Sequence, residues 1–467
     1  MALNLTLDPT DTGPIYLQIA NRLREAAMNG VLPAGARLPS SRALASQLAV
    51  ARGTVDAAYA ILAGEGAIET RGGSGGTIVS PNLPRSGAVP IQIPMPFFLN
   101  QNNAPPPPLP FRMGLPALDV FPRKLWSSML VRAARQTGAV DLAYPDPAGL
   151  PALRQAIAQY LGVSRGVPCM PEQVIVTAGF QGALSLVRHV LLRPGDPVWI
   201  EDPCYWMARQ ALEAAGTRLV PIRVDRDGLR VGAAIKSAPR ARLAVVTPAH
   251  QSPLGVTLSL PRRLELLAWA TDSGGWVLED DYDGEFRYTG KPMPALKSLD
   301  RADRVLYCGS FSKVLHPGLR LGYLVPPREL LDAFTRAARL LNAGLPGLEQ
   351  RATAAFIDRG AFARHLRRMR TLYAARRKAL AGALGTVFGD RVRVELEAGG
   401  MHLLVRFPGA QDDVAMARKA QADGLAATAL SSLTAAHDCG HGLLLGFTNI
   451  AETDAEALVR RLAAAIA

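Results

Sequence analysis

Between Pro14 and Ser80 the apolar positions recur three times at helical spacing and then alternate. Ile15, Ile19 and Leu23 fall on one face of a helix that Pro14 is suited to open at its first position. Leu32-Pro33-Ala34-Gly35 ends that element, and Ser40 is a fitting N-cap for a short second helix with Leu44 and Leu48 inward. A third helix is expected from about Arg52, with Val55, Tyr59 and Leu62 as its buried stripe and Gly64 and Gly66 closing it. Ala67 to Ser80 reads as two short strands around Arg71-Gly72-Gly73-Ser74-Gly75-Gly76. Residues 1–80 thus predict a winged helix-turn-helix; a small helical protein-binding module would show the same pattern. DNA is favoured because Arg52 and Thr54 open the third helix, where base edges are read. Arg42 on the second helix and Arg71 in the wing are suited to phosphates.

The pattern changes after residue 110. Short apolar runs at Val174–Thr177, Pro197–Ile200, Leu219–Ile222, Leu243–Val246, Trp276–Glu279, Val305–Cys308 and Gly322–Val325 alternate with helical stretches such as Gly182–Leu192, Tyr205–Ala215 and Pro261–Thr271. This alternation predicts an α/β domain over residues 111–467 with a largely parallel sheet covered by helices on both faces. Between the two regions, residues 81–110 are proline-rich and include Pro105-Pro106-Pro107-Pro108. Such a run acts either as an extended spacer, reaching on the order of 90 Å, or as a disordered tether without geometric role.

Composition adds three points. No stretch approaches about 18 uninterrupted apolar residues, no export signal is visible, and the four cysteines lack metal-site spacing. A cytoplasmic protein without membrane span or metal is expected. The net charge of +13 calls for an acidic partner, nucleic acid first. Residues 1–80 hold six arginines and six acidic residues, however, so the whole excess lies beyond them. A neutral reader binds DNA weakly alone and needs two copies or added charge. Arg328 to Lys378 offers such charge, with twelve basic residues against four acidic ones, and Arg364, Arg367, Arg368 and Arg370 at helical spacing. A solvated helix face is the alternative.

Ligands of open α/β sheets sit past the carboxyl ends of the strands. The first such end reads Thr177-Ala178-Gly179-Phe180-Gln181, a small-residue turn opening a helix whose amides suit a phosphate. The next carries Glu201-Asp202-Pro203-Cys204-Tyr205, with an aromatic to stack on a flat ring. Glu279-Asp280-Asp281-Tyr282-Asp283 follows, offering a carboxylate for a protonated ring nitrogen and a phenol for a ring hydroxyl. The last is Ser310 to Arg320 (SFSKVLHPGLR), with one lysine, Lys313, among hydroxyls and an arginine. Together these describe a pocket for pyridoxal 5′-phosphate.

Two stretches carry a family resemblance. Pro14 to Val55 resembles the DNA-binding domain of the GntR superfamily, with Asp56 standing where some members carry arginine. Residues from about 111 onward resemble a fold-type I aminotransferase, and the whole chain resembles the MocR subfamily of bacterial regulators. The resemblance implies a homodimeric, PLP-binding transcription regulator. Lys313 would form the Schiff base with the cofactor, Asp280 (with Asp281 as competitor) would pair with the pyridine nitrogen, Tyr282 with the ring hydroxyl, and Tyr205 would stack. Arg320, Ser310, Ser312 and the amides of Phe180 and Gln181 would hold the phosphate. Two departures stand out. Ser252 occupies the place of the asparagine in the N-P-x-G loop, with His250 and Gln251 beside it. Leu444 stands where the substrate-carboxylate arginine belongs, with Arg393, Arg406 and His441 as substitutes to test. The effector is then PLP itself, which Leu444 favours, or an amine or amino acid condensing with it. An active aminotransferase fused to a DNA reader, and a regulator that has lost the cofactor, are the other readings.

Overall fold

The computed structural model describes residues 7–8, 11, 13–71, 76–82, 108–290, 293–409 and 411–467. It divides into two compact units between residues 104 and 105. The expected linker lies almost wholly outside the described residues, as does the wing tip, 72–75.

The first unit holds α1 (Ile15–Met28), α2 (Ser41–Leu48), α3 (Arg52–Gly64) and the antiparallel hairpin β1 (Ile68–Arg71) with β2 (Gly76–Val79). The Ser40 side chain caps α2 by accepting from the Ala43 amide at 3.2 Å. Ile19, Leu23, Leu44, Val55, Tyr59 and Leu62 meet in one core. Two details differ from the sequence reading. Pro14 is the N-cap of α1, and Ile15 is 46% exposed, because the buried face begins at Gln18 and Ile19.

The second unit is built on an eight-stranded sheet. Its strands are β3 (Ile175–Thr177), β4 (Pro197–Asp202), β5 (Arg218–Asp225), β6 (Gly228–Leu229), β7 (Leu243–Val246), β8 (Trp276–Asp281), β9 (Val305–Ser310) and β10 (Gly322–Val325), in the order β3-β10-β9-β8-β7-β4-β5-β6. The centre is parallel, β5-β4-β7-β8-β9. β10 is antiparallel to both β9 and β3, which apolar periodicity does not distinguish. Buried apolar clusters lie against the sheet: Leu184, Val187 and Phe334 join one, and Trp199, Leu266 and Trp269 another. A second, four-stranded antiparallel sheet follows, β11 (Arg393–Glu395), β12 (His402–Arg406), β13 (Thr428–Ala429) and β14 (Leu443–Gly446), in the order β11-β12-β14-β13. The sequence reading did not include it. Among the described residues no helix is long and apolar enough to cross a membrane.

Candidate functional site

The strand ends converge on a cavity of about 430 Å³, the size of a small-molecule site. Phe180, Gln181, Tyr205, Ser252, Asp280, Tyr282, Ser310, Ser312, Lys313 and Arg320 all line it. The acidic pair belongs to β8 itself and does not follow it, as the sequence reading had placed it. Side chains alternate along a strand. Asp280 therefore faces the cavity, while Asp281 turns to the other face, where Arg165 Nε donates to it at 2.7 Å and the Tyr307 hydroxyl at 2.6 Å. Asp281 Oδ2 is thus engaged in holding the fold, while its Oδ1 has no hydrogen-bond partner. Asp280 Oδ1 is likewise buried without a hydrogen-bond partner, but on the cavity side. Burial, with repulsion from Asp281 and Asp283, holds its carboxyl well above the ordinary range. A buried carboxylate without a cation is costly, so this position fits a protonated ring nitrogen.

Lys313 Nζ donates to the Gly114 carbonyl at 2.9 Å. Burial holds the amine below its usual pKa, against the pull of Asp283 and Asp280. Gly114 has φ +66°, which favours glycine, and a Cβ there would lie 2.4 Å from Nζ and displace the amine from this place. At the opposite polar end, the helix Gly179–Leu191 starts without a side-chain cap, leaving its first amides open. Arg320 sits beside it, donating to the Ala178 carbonyl at 3.1 Å, and the buried Gln181 Nε2 has no partner. These groups fit a phosphate. Tyr205 packs edge-on to Phe180 at 6.2 Å, and Trp206 lines the same wall.

The two departures resolve differently. His250 Nδ1 lies 2.9 Å from the Tyr282 hydroxyl and 3.0 Å from Asp283, so it joins the phenol's surroundings. Gln251 turns away and donates to Glu201 and the Pro203 carbonyl. Leu444 is wholly buried among Leu404, Leu430 and Leu433. None of its expected substitutes lines the cavity: Arg406 donates to Glu395 and the Cys439 carbonyl, Arg393 is an exposed neighbour of Glu395, and His441 pairs with Asp413. Sequence reasoning missed Arg112, Gly114, Trp206 and His402, which also line the cavity. Their signal was weak because Arg112 and Gly114 lie far from the strand-end motifs. His402 is neutral, its pKa lowered to about 4 by burial and by His250.

In the first unit Arg42 and Arg52 are exposed, Thr54 is half-buried at the start of α3, and Arg71 is exposed at the end of β1. Asp56 approaches Arg52 at 3.4 Å, one helical turn on, and so sits beside the arginine on the outer face of α3. In the second unit the basic run is smaller than it reads. Arg376 is buried against Asp119 and the Thr448 carbonyl, Arg377 reaches the Glu397 carbonyl, and Arg370 holds the Glu285 carbonyl. Arg364, Arg367 and Arg368 remain exposed on the helix Ala361–Phe388.

Comparison with known proteins agrees with this geometry. The family "Aminotransferase class I and II" matches residues 126–460, and "Bacterial regulatory proteins, gntR family" matches residues 15–78. The "Probable rhizopine catabolism regulatory protein MocR" of Rhizobium meliloti is 37% identical over 96% of this chain and 92% of that protein. The "HTH-type pyridoxine biosynthesis transcriptional regulator PdxR" of Corynebacterium glutamicum is 33% identical over 95% and 94%. Among solved structures, kynurenine aminotransferase of Pyrococcus horikoshii superposes with a TM-score of 0.70, at 29% identity over 76% of this chain and 90% of that one. The chain therefore belongs to the MocR-type HTH transcriptional regulators, in which a gntR-family DNA-binding domain precedes a class I and II aminotransferase domain.

Proposed function

We propose that this regulator binds pyridoxal 5′-phosphate at Lys313 and that occupancy of the same cavity, by the cofactor or by an amine or amino acid, alters its grip on operator DNA. The observation that carries the reading is a half-buried lysine sharing one cavity with a buried carboxylate, Asp280, whose Oδ1 has no partner. When bound, PLP supplies an aldehyde that condenses reversibly with primary amines. The chain's own groups then have defined tasks. Lys313, its pKa lowered, offers an amine able to act as nucleophile. Asp280 stabilises positive charge at the ring nitrogen, and Tyr282, with Ser252 and His250 near it, orients the ring hydroxyl. Arg320, Ser310, Ser312 and the amides of Phe180 and Gln181 take the phosphate, and Tyr205 covers the ring. Arg42, Arg52, Thr54 and Arg71 take DNA. Val140, Leu142 and Tyr144, at 89%, 78% and 96% exposure, are what a cytoplasmic homodimer would cover. The effector shifts the protein only by binding two arrangements unequally.

The purified protein is expected to be yellow, to lose its visible band under borohydride, and to lose both properties in Lys313→Ala. A colourless protein that takes up no added PLP sinks the reading. Active transamination is the second reading, favoured by the intact Lys313, Asp280, Tyr282 and Arg320. Its test is a half-reaction with amino acids, followed by conversion of the bound cofactor.

A further inference from the structure

The cavity carries more positive charge than PLP requires. Its lining includes Arg112, Lys313 and Arg320 against a single carboxylate, Asp280. In the reading above, on which this inference rests, the aldehyde takes Lys313, the ring nitrogen takes Asp280 and the phosphate takes Arg320. Arg112 is left over. Its Nε is buried without a hydrogen-bond partner, and among the described residues its guanidinium makes no ion pair. Arg112 itself is half-buried, but a buried N–H without an acceptor is costly, and an anionic ligand in the cavity would supply one.

Its position is as informative as its charge. The neighbouring Phe111 forms a bridge with Gly446, the last residue of β14, whose amide donates to the Phe111 carbonyl at 2.8 Å. Arg112 thus belongs to the segment alongside the strand that carries Leu444. Two residues further on, the Gly114 carbonyl receives Lys313 Nζ. Arg320 lies instead between β9 and β10 of the large sheet, beside the Ala178 carbonyl. The two arginines serve different walls.

We infer that Arg112 is the receiver of an effector carboxylate, replacing from the adjacent segment the arginine that Leu444 lacks, and that the effector is an amine bearing a carboxylate. A guanidinium fork matches a planar carboxylate bidentately. The effector's amine meets the cofactor aldehyde at Lys313 while its carboxylate meets Arg112.

The test uses two stable probes that differ only in the carboxylate, N-(5′-phosphopyridoxyl)glycine and N-(5′-phosphopyridoxyl)methylamine. Each is titrated calorimetrically into the full-length protein freed of cofactor. Wild type is expected to bind the glycine probe at least about tenfold tighter, the range of a charge-assisted contact. Arg112→Ala should abolish that preference while leaving the methylamine probe within about twofold, and Arg112→Lys should restore part of it. Equal affinities in wild type, or an equal loss for both probes in Arg112→Ala, overturn the inference and leave the cofactor reading intact. If neither probe nor PLP binds wild type, the cofactor reading fails and takes the inference with it.

Discussion

Glu201 shows what burial does to one side chain. It is enclosed at the end of β4, and burial pushes its carboxyl up to about 7 against hydrogen bonds from Thr247 and Gln251. Its ordinary value is about 4.5. Between the two, the folded protein keeps a proton that the unfolded chain releases, so stability falls as pH rises across that window. Glu279 and Glu285, also raised to about 7 mainly by burial, act in the same direction. Replacing Glu201 with Gln should flatten the decline of Tm between about pH 4.5 and 7, read by circular dichroism melts across pH. An unchanged slope would show that Glu201 does not titrate there. Asp280 has the same burial but lines the cavity, so its cost is relieved by a ligand cation and not by protonation alone.

One carboxylate also organises a whole element. Asp202, at the end of β4, accepts from three successive amides, Ala435 at 2.7 Å, Ala436 at 2.8 Å and His437 at 2.7 Å. It pins the loop between β13 and β14, just past the cavity-lining Leu433, to the large sheet. Charge-assisted bonds of this kind contribute about 1.5–3 kcal/mol. In Asp202→Ala, amide exchange at 435–437 should accelerate by at least about tenfold, with β12 and β14 little changed, as read by hydrogen-exchange mass spectrometry. Equal protection in both proteins would mean that the loop is held by its other contacts, such as Arg209 to the Thr434 carbonyl. The local chemistry of such elements was legible early. The Ser40 cap, the α3 stripe and the limits of β7 and β10 follow from nearest-neighbour preferences that any chain expresses locally.

For the molecule as a whole, charge is distributed against expectation for a DNA binder. The reader is neutral and the entire +13 lies beyond residue 80. Of the basic run, Arg364, Arg367 and Arg368 stay exposed while Arg376 is committed to Asp119. Converting the three exposed arginines to Glu should weaken operator binding and flatten its dependence on salt by about one unit of slope per lost phosphate contact. Fluorescence anisotropy over a salt series reads both, and unchanged binding would assign this face to solvent.

The sequence by itself determined the reader's three helices and hairpin, the alternating α/β character of the second unit, and the residue types waiting at each strand end. Periodicity, caps and turns are short-range properties, so they are written locally. Tertiary structure decided which side of β8 meets the cavity, separating Asp280 from Asp281, whose Oδ2 holds Arg165 and Tyr307. It decided that β10 runs antiparallel and that a second sheet exists. It also set Leu444 in a dry apolar cluster and Arg112, 332 residues earlier in the chain, at the cavity wall. Those facts depend on long-range pairing, because a side chain's partner is chosen by which strand comes to lie beside it.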